Sequence, residues 1–283
     1  MNNEILLSPH RLNDLIQAGA CTVVDCRFEL ADPDSGRAGW LGGHIPGAAY
    51  AHLDEDLAAP VEVHTGRHPL PVAEKFSQFL ASTGWSADKL LVAYDDGSNA
   101  IASRLWWMMR YFGHKAALLD GGLAAWVDGG FPLETGMPRI LPSGLETLQP
   151  DPQMTVSASS LFDNLDSAEW VVLDARARER YTGEVEFLDT KAGHIPGALN
   201  RPYNENLDTS GRFKPPEQLK IQFETLLRGR PEKVAHSCGS GVTACHNLFA
   251  MELAGLGSTH LYPGSWSEWI RDPERPVKTG EEP

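Results

Sequence analysis

A cysteine set between an apolar strand and a glycine-punctuated turn is the residue of this chain best placed to act as a nucleophile. Val234-Ala235-His236-Ser237 reads as a strand, Cys238-Gly239-Ser240-Gly241-Val242-Thr243 as a loop, and Ala244-Cys245-His246-Asn247 as the opening of a helix. A thiol at such a junction meets backbone N–H groups and the positive end of a helix dipole. Both favour the thiolate and offer a cradle to an anion. Most free cysteines are simply small apolar core residues, and that reading suits Cys245, seven residues on within the helix, and Cys21 and Cys26, which flank a strand.

The rest of the chain must hold this loop in place. At 283 residues it is long enough for two domains, each with its own core. No apolar run reaches the length of a membrane span, and the amino terminus lacks a basic stretch followed by an apolar one, so a cytoplasmic location is expected. The four cysteines form neither a CxxC pair nor a His/Cys set with zinc spacing, which argues against structural metal and for reduced thiols. A net charge of −14 argues against nucleic acid and anionic membrane as partners, while leaving room for a small anion at a locally positive site.

The chain repeats itself. Val24-Asp25-Cys26-Arg27 followed by Gly43-His44-Ile45-Pro46-Gly47-Ala48 recurs about 150 residues later as Leu173-Asp174-Ala175-Arg176 followed by Gly193-His194-Ile195-Pro196-Gly197-Ala198. Serine-capped helices are expected after Ser8 and Ser157, and Asp120 to Trp126 parallels Pro263 to Trp269. The Pro- and Gly-rich stretch between the copies reads as a linker. The expected boundaries are therefore 1–138, a linker over 139–152, and 153–283.

Within each copy, apolar strands (Cys21–Val24, Leu90–Tyr94, Trp170–Leu173, Val234–His236) alternate with helical patterns such as Ala73–Ser82 and Ile101–Phe112. This predicts an α/β fold, each half a doubly wound, mostly parallel sheet with helices on both faces. Ligands of such sheets bind beyond the carboxyl ends of the strands. Strand-to-strand alignment sets Asp95 where the second half has Cys238, so only the second copy carries the nucleophile. The silent copy is expected to serve as a wall of the site. Trp106, Trp107, Trp126, Trp266 and Trp269 have the spacing of core helix faces.

The tandem layout, the paired Gly-His-Ile-Pro-Gly-Ala motifs and the Cys238–Ala244 loop resemble the two-domain sulfurtransferases of the rhodanese superfamily, in particular their 3-mercaptopyruvate sulfurtransferase branch. The resemblance spans nearly the whole chain. It implies two tandem rhodanese-like domains and a cofactor-free, two-step reaction. Cys238 takes a sulfane sulfur from a small anionic donor to form a persulfide, then passes it to cyanide or to a thiol acceptor, thioredoxin-like proteins included. Gly239 and Gly241 would let the loop backbone turn its N–H groups on the persulfide, with Val242 and Thr243 completing the donor site. Cysteine phosphatases of related fold need an arginine where Ala244 stands, which argues against phosphate chemistry.

The resemblance assigns Arg180 to the donor's anionic group. It also implies a proton-handling set of Ser240, His68 in His68-Pro69-Leu70-Pro71, and Asp54 in His52-Leu53-Asp54-Glu55. Arg27, Arg176, His44 and His194 occur in both copies and read as structural. One departure bears on the donor. The mercaptopyruvate branch carries a second substrate arginine shortly before the second Gly-His-Ile-Pro motif, and Glu184 to Ala192 contains none. Thiosulfate therefore stays open as the donor, although the neutral Gly239, Ser240 and Gly241 suit a dianion poorly. The same residues would also suit a non-catalytic persulfide carrier or sensor loaded by a partner.

Overall fold

The computed structural model describes residues 4–165, 167, 169–228, 233–257 and 259–283. Among them the chain forms two compact units. The first comprises Met1–Ala59, Leu70–Asp151 and Thr209–Phe213, and the second Pro60–Pro69, Pro152–Asp208 and Lys214–Pro283. Neither is continuous in sequence, and the segment carrying Arg67 and His68 belongs to the second.

The first unit is built on a fully parallel sheet in the order β1 (Leu6–Leu7), β5 (Ala116–Leu119), β4 (Leu90–Tyr94), β2 (Cys21–Asp25), β3 (Ala49–Tyr50). Its helices are α1 (Pro9–Gln17), α2 (Ser35–Gly42), α3 (Ala73–Ser82), α4 (Ala102–Tyr111) and α5 (Gly122–Asp128). Ser8 caps α1, its hydroxyl accepting the Arg11 N–H at 3.2 Å.

The second unit repeats the plan with the order β7 (Leu199–Asn200), β6 (Val171–Asp174), β8 (Val234–Ser237), β9 (Thr259–Leu261), again all parallel. The counterpart of β1 is reduced to a single bridge, Thr155 to Leu261. Its helices are α6 (Ala158–Asp163), α7 (Arg178–Thr182), α8 (Pro216–Leu227), α9 (Ala244–Leu253) and α10 (Ser265–Trp269). Ser157 caps α6 as Ser8 caps α1, accepting the Ser160 N–H at 3.1 Å. Trp266 and Trp269 of α10 are buried in the core with Val172, Tyr181, Ile195 and Ala235, and Trp126 lies in the matching core of the first unit. Each such indole removes roughly 150–250 Å² from water, enough to anchor a helix of five to seven residues that could not persist alone.

The repeated motifs owe their spacing to one contact. Asp174 grips Arg176 through Nε and Nη2, and the same Nη2 donates to the carbonyl of Gly193 at 2.7 Å, tying the end of β6 to the Gly-His-Ile-Pro-Gly-Ala turn. Asp25, Arg27 and Gly43 do the same in the first unit, also at 2.7 Å. His44 and His194 are fully buried, each pairing backbone to backbone with a later strand-like segment, at Glu134 and Lys278. No described helix is long and apolar enough to cross a membrane.

Candidate active site

Cys238 is the first residue past the carboxyl end of β8, a central strand of its sheet, and α9 begins six residues later. The loop between them is short because two of its residues are glycine. Gly241 has φ +77°, and a Cβ there would stand 2.3 Å from the Pro263 carbonyl oxygen, so conformation and space both require glycine. The turn aims the Gly241 N–H at Cys238 Sγ, 3.1 Å away. Thr243, the cap residue of α9, makes no side-chain cap bond, so the positive end of this helix faces the loop without a competing capping oxygen. Cys238 is 2% exposed and Val242 is buried beside it.

The loop is held from below by the segment that opens α10. Cys238 N–H donates to Ser265 Oγ at 3.0 Å, and Ser265 Oγ donates to the Tyr262 carbonyl at 2.9 Å. Trp266 and Ser267 N–H groups donate to the carbonyls of Cys238 and Gly239. Ser265 is fully buried with φ +53°, a left-handed conformation unfavourable to any side chain. The equivalent position of the first unit is Gly122, with φ +56°. The second unit thus has a strained serine where glycine would be relaxed, and its hydroxyl meets the Cys238 amide. Sequence reading missed Ser265; the exchange of Gly122 for Ser265 within an otherwise parallel repeat was the available signal.

His68 is buried, and its Nδ1 lies 2.7 Å from Ser240 Oγ, a hydrogen bond whose direction follows the imidazole tautomer. The neighbouring Arg67 N–H donates to Ser267 Oγ at 3.0 Å, which fixes this segment against α10. Asp54 lies in the first unit, in the turn after β3, where its N–H donates to His52 Nδ1 at 3.2 Å.

Arg180, on α7, makes contacts to Glu186 at 2.9 to 3.2 Å through Nε and Nη2, and Nη2 reaches Asp189 at 3.0 Å. Asp189 also pairs with Arg67. The segment from Glu184 to Ala192 thus supplies the carboxylates that hold guanidiniums in place. Burial pushes the Asp189 carboxyl above its ordinary range despite the pull of Arg67. For Glu186 burial pushes the same way, but the Leu188 N–H and Arg180 outweigh it and the carboxyl ends below its ordinary range. Arg176 is buried and stacks over Trp266 at 4.7 Å. Burial opposes its charge, but Asp174, with help from Glu186 and Cys238, outweighs that and raises its pKa.

In the first unit the corresponding position carries a carboxylate that fills its own loop. Asp95 follows β4 as Cys238 follows β8, and it accepts the N–H groups of Asn99 at 2.7 Å, Ile101 at 3.0 Å, Gly97 at 3.2 Å and Ala102 at 3.4 Å. A cradle closed by its own side chain has no room for a ligand anion. The four cysteines are all free; Cys26 and Cys245 are buried, whereas Cys21, which opens β2, is partly exposed.

The sequence profile of the rhodanese-like domain matches the chain twice, over residues 8–128 and 157–272. A Pseudomonas aeruginosa protein named "Probable 3-mercaptopyruvate sulfurtransferase" is 47% identical, covering 99% of this chain and 100% of its own length. A Mycobacterium tuberculosis protein named "Putative thiosulfate sulfurtransferase SseB" is 35% identical, over 98% of both chains. Among solved structures, the 3-mercaptopyruvate sulfurtransferase from Leishmania major superposes with a TM-score of 0.86 at 30% identity, covering 96% of this chain and 76% of its own.

Proposed function

The chain belongs to the rhodanese family, and from that premise we propose that it is a sulfurtransferase that takes sulfur from 3-mercaptopyruvate through a persulfide on Cys238. In the first step the Cys238 thiolate attacks the donor sulfur and a sulfur–sulfur bond forms. The donor's carbon–sulfur bond breaks, its electron pair passes to carbon, and the resulting enolate takes up a proton to leave as pyruvate. In the second step an acceptor thiolate or cyanide attacks the outer sulfur, and the Cys238 thiolate is regenerated.

The observation that carries the donor assignment is the hydrogen bond between His68 Nδ1 and Ser240 Oγ, 2.7 Å long and two residues from the nucleophile. A departing enolate needs a proton, and a hydroxyl coupled to an imidazole can deliver one. Sulfite leaving thiosulfate needs none. Asp54 is the carboxylate candidate of the same set. Arg180, with Nε and Nη2 already on carboxylates, is assigned to the donor's anionic end. The Gly241 N–H and the open first turn of α9, from Val242 and Thr243 onward, suit the persulfide anion. Four free cysteines fit a reducing, cytoplasmic setting and a thioredoxin-like thiol as acceptor.

The absence of an arginine between Glu184 and Ala192 favours a second reading, with thiosulfate as the main donor. Steady-state turnover of both donors, with a dithiol as acceptor, decides between them. A kcat/KM at least tenfold higher for 3-mercaptopyruvate is expected, and a thiosulfate preference would refute the assignment. Cys238→Ser should abolish turnover and the mass increase of one sulfur atom on donor treatment. Wild-type turnover in that variant would refute the mechanism.

A further inference from the structure

A residue that the sequence left unassigned faces the reacting loop. Gly239 follows the nucleophile, and the space where its Cβ would stand is occupied from two directions. Arg67 Nη2 is 2.8 Å from that point, and Arg180 Nη1 is 3.5 Å from it. The two guanidiniums come from distant stretches of sequence and share one anchor, since Asp189 pairs with Nη1 of Arg67 through Oδ1 and with Nη2 of Arg180 through Oδ2. Each arginine therefore commits one side to the carboxylate brace and turns its other terminal nitrogen to the space over Gly239. Glu186 adds the second carboxylate on Arg180.

We propose that Arg67 is a second anion-binding residue of the donor site, forming with Arg180 a two-guanidinium clamp over Gly239 that takes the donor carboxylate, with Asp189 as the brace that sets its geometry. Arg67 then supplies the second guanidinium that Glu184 to Ala192 lacks, where Lys191 offers only a point charge, and that segment contributes the carboxylate that orients it. Two converging N–H donors on rigidly held planar groups match the paired oxygens of a carboxylate. The Arg67 side chain is 26% exposed and that of Arg180 is 13% exposed, so an anion can reach both, whereas the Asp189 side chain is 4% exposed and remains behind them. Glycine at 239 is then required by the clamp, because any side chain there would push the guanidiniums away. This rests on the donor reading given above.

The test is steady-state kinetics of the wild type, Arg67→Ala, Arg67→Gln and Arg67→Lys with 3-mercaptopyruvate, together with competitive inhibition by pyruvate, the product that keeps the carboxylate. Loss of one charge-assisted contact should raise KM and the pyruvate inhibition constant in parallel, by roughly 10- to 100-fold in Arg67→Ala. kcat should stay within about threefold, since the contact is made before and during reaction alike. Arg67→Gln can still hydrogen-bond Asp189 and so protects the fold while removing the charge; it should show the same KM effect. Arg67→Lys should recover part of it. An Arg67 that merely braces Asp189 would instead lower thermal stability and kcat with KM unmoved. KM and pyruvate inhibition in Arg67→Ala or Arg67→Gln within twofold of wild type would overturn the proposal. Failure of the donor reading would show separately, as a wild type that does not turn over 3-mercaptopyruvate.

Discussion

Ser265 offers the sharpest test of how the Cys238 loop is held, because stability and activity should separate there. Replacing it by alanine removes the acceptor of the Cys238 N–H and the bond to the Tyr262 carbonyl, at 3.0 Å and 2.9 Å in the intact protein. The site is fully buried, so the amide is left without a partner at a cost of about 2 kcal/mol. Alanine also keeps a Cβ at φ +53°. Glycine loses the same two bonds but removes the left-handed penalty, about 1 kcal/mol. Ser265→Gly should therefore be more stable than Ser265→Ala by about 1 kcal/mol, the reverse of the usual order. That corresponds to about 3 °C in the midpoint of the second unit's unfolding. Both should lose kcat/KM about equally, by roughly 10- to 100-fold, since an untethered Cys238 amide lets the sulfur drift from its position of attack. Paired thermal melts and donor kinetics on the two variants provide the assay. A Ser265→Ala protein as stable as Ser265→Gly, or wild-type turnover in either, would refute the reasoning.

Other consequences follow from the same geometry. His68→Ala should lower kcat for 3-mercaptopyruvate by roughly 10²- to 10⁴-fold, the range of a lost proton-transfer group, while sulfur loading from thiosulfate should change far less; equal losses with both donors would remove the proton role, and the same comparison on Asp54→Asn tests whether Asp54 takes the proposed part in it. His236 lies fully buried in β8, its ring nitrogens without hydrogen-bond partners among the described residues, and burial, with a contribution from His260, pushes its pKa down to about 3 from 6.5. The folded protein therefore refuses a proton that the unfolded chain accepts below about pH 6.5. Stability should fall as pH drops from about 6.5 toward 3, by up to about 1.4 kcal/mol per pH unit from this group. His236→Leu should flatten that acid limb in denaturant titrations, and an unchanged slope would show the imidazole to be hydrated.

Much of the fold was legible because local chemistry and tertiary need coincide. The expected helix Ala73–Ser82 is α3 to the residue, and strand Leu90–Tyr94 is β4. The helix expected over Ile101–Phe112 forms as Ala102–Tyr111, one residue shorter at each end. Short apolar runs of about four or five residues bounded by turn residues suit buried parallel strands better than helices, and a serine before a periodic segment can satisfy orphan N–H groups by a local contact. The Asp-x-Arg and Gly-His-Ile-Pro-Gly-Ala motifs could be seen to recur. Why they recur, a guanidinium bridging a carboxylate and a glycine carbonyl, could not.

Sequence alone singled out Cys238, because a nucleophile needs a strand end, a turn and a helix start in immediate succession, and those are local features. It also marked Asp95 as the silent counterpart, since the repeat aligned them. The tertiary structure decided what converges on that loop. His68 and Arg67 meet Ser240 and Gly239 across about 170 residues of chain, and Ser265 meets Cys238 across 27. Such contacts follow from which strands pair and which loops pack, and residue type carries no record of them. The segment Glu184 to Ala192 shows the difference most clearly. Read as letters, it lacks an arginine; in the fold, its Glu186 and Asp189 hold Arg180 and Arg67, because a buried carboxylate needs a compensating charge or N–H donors, and here guanidiniums supply them.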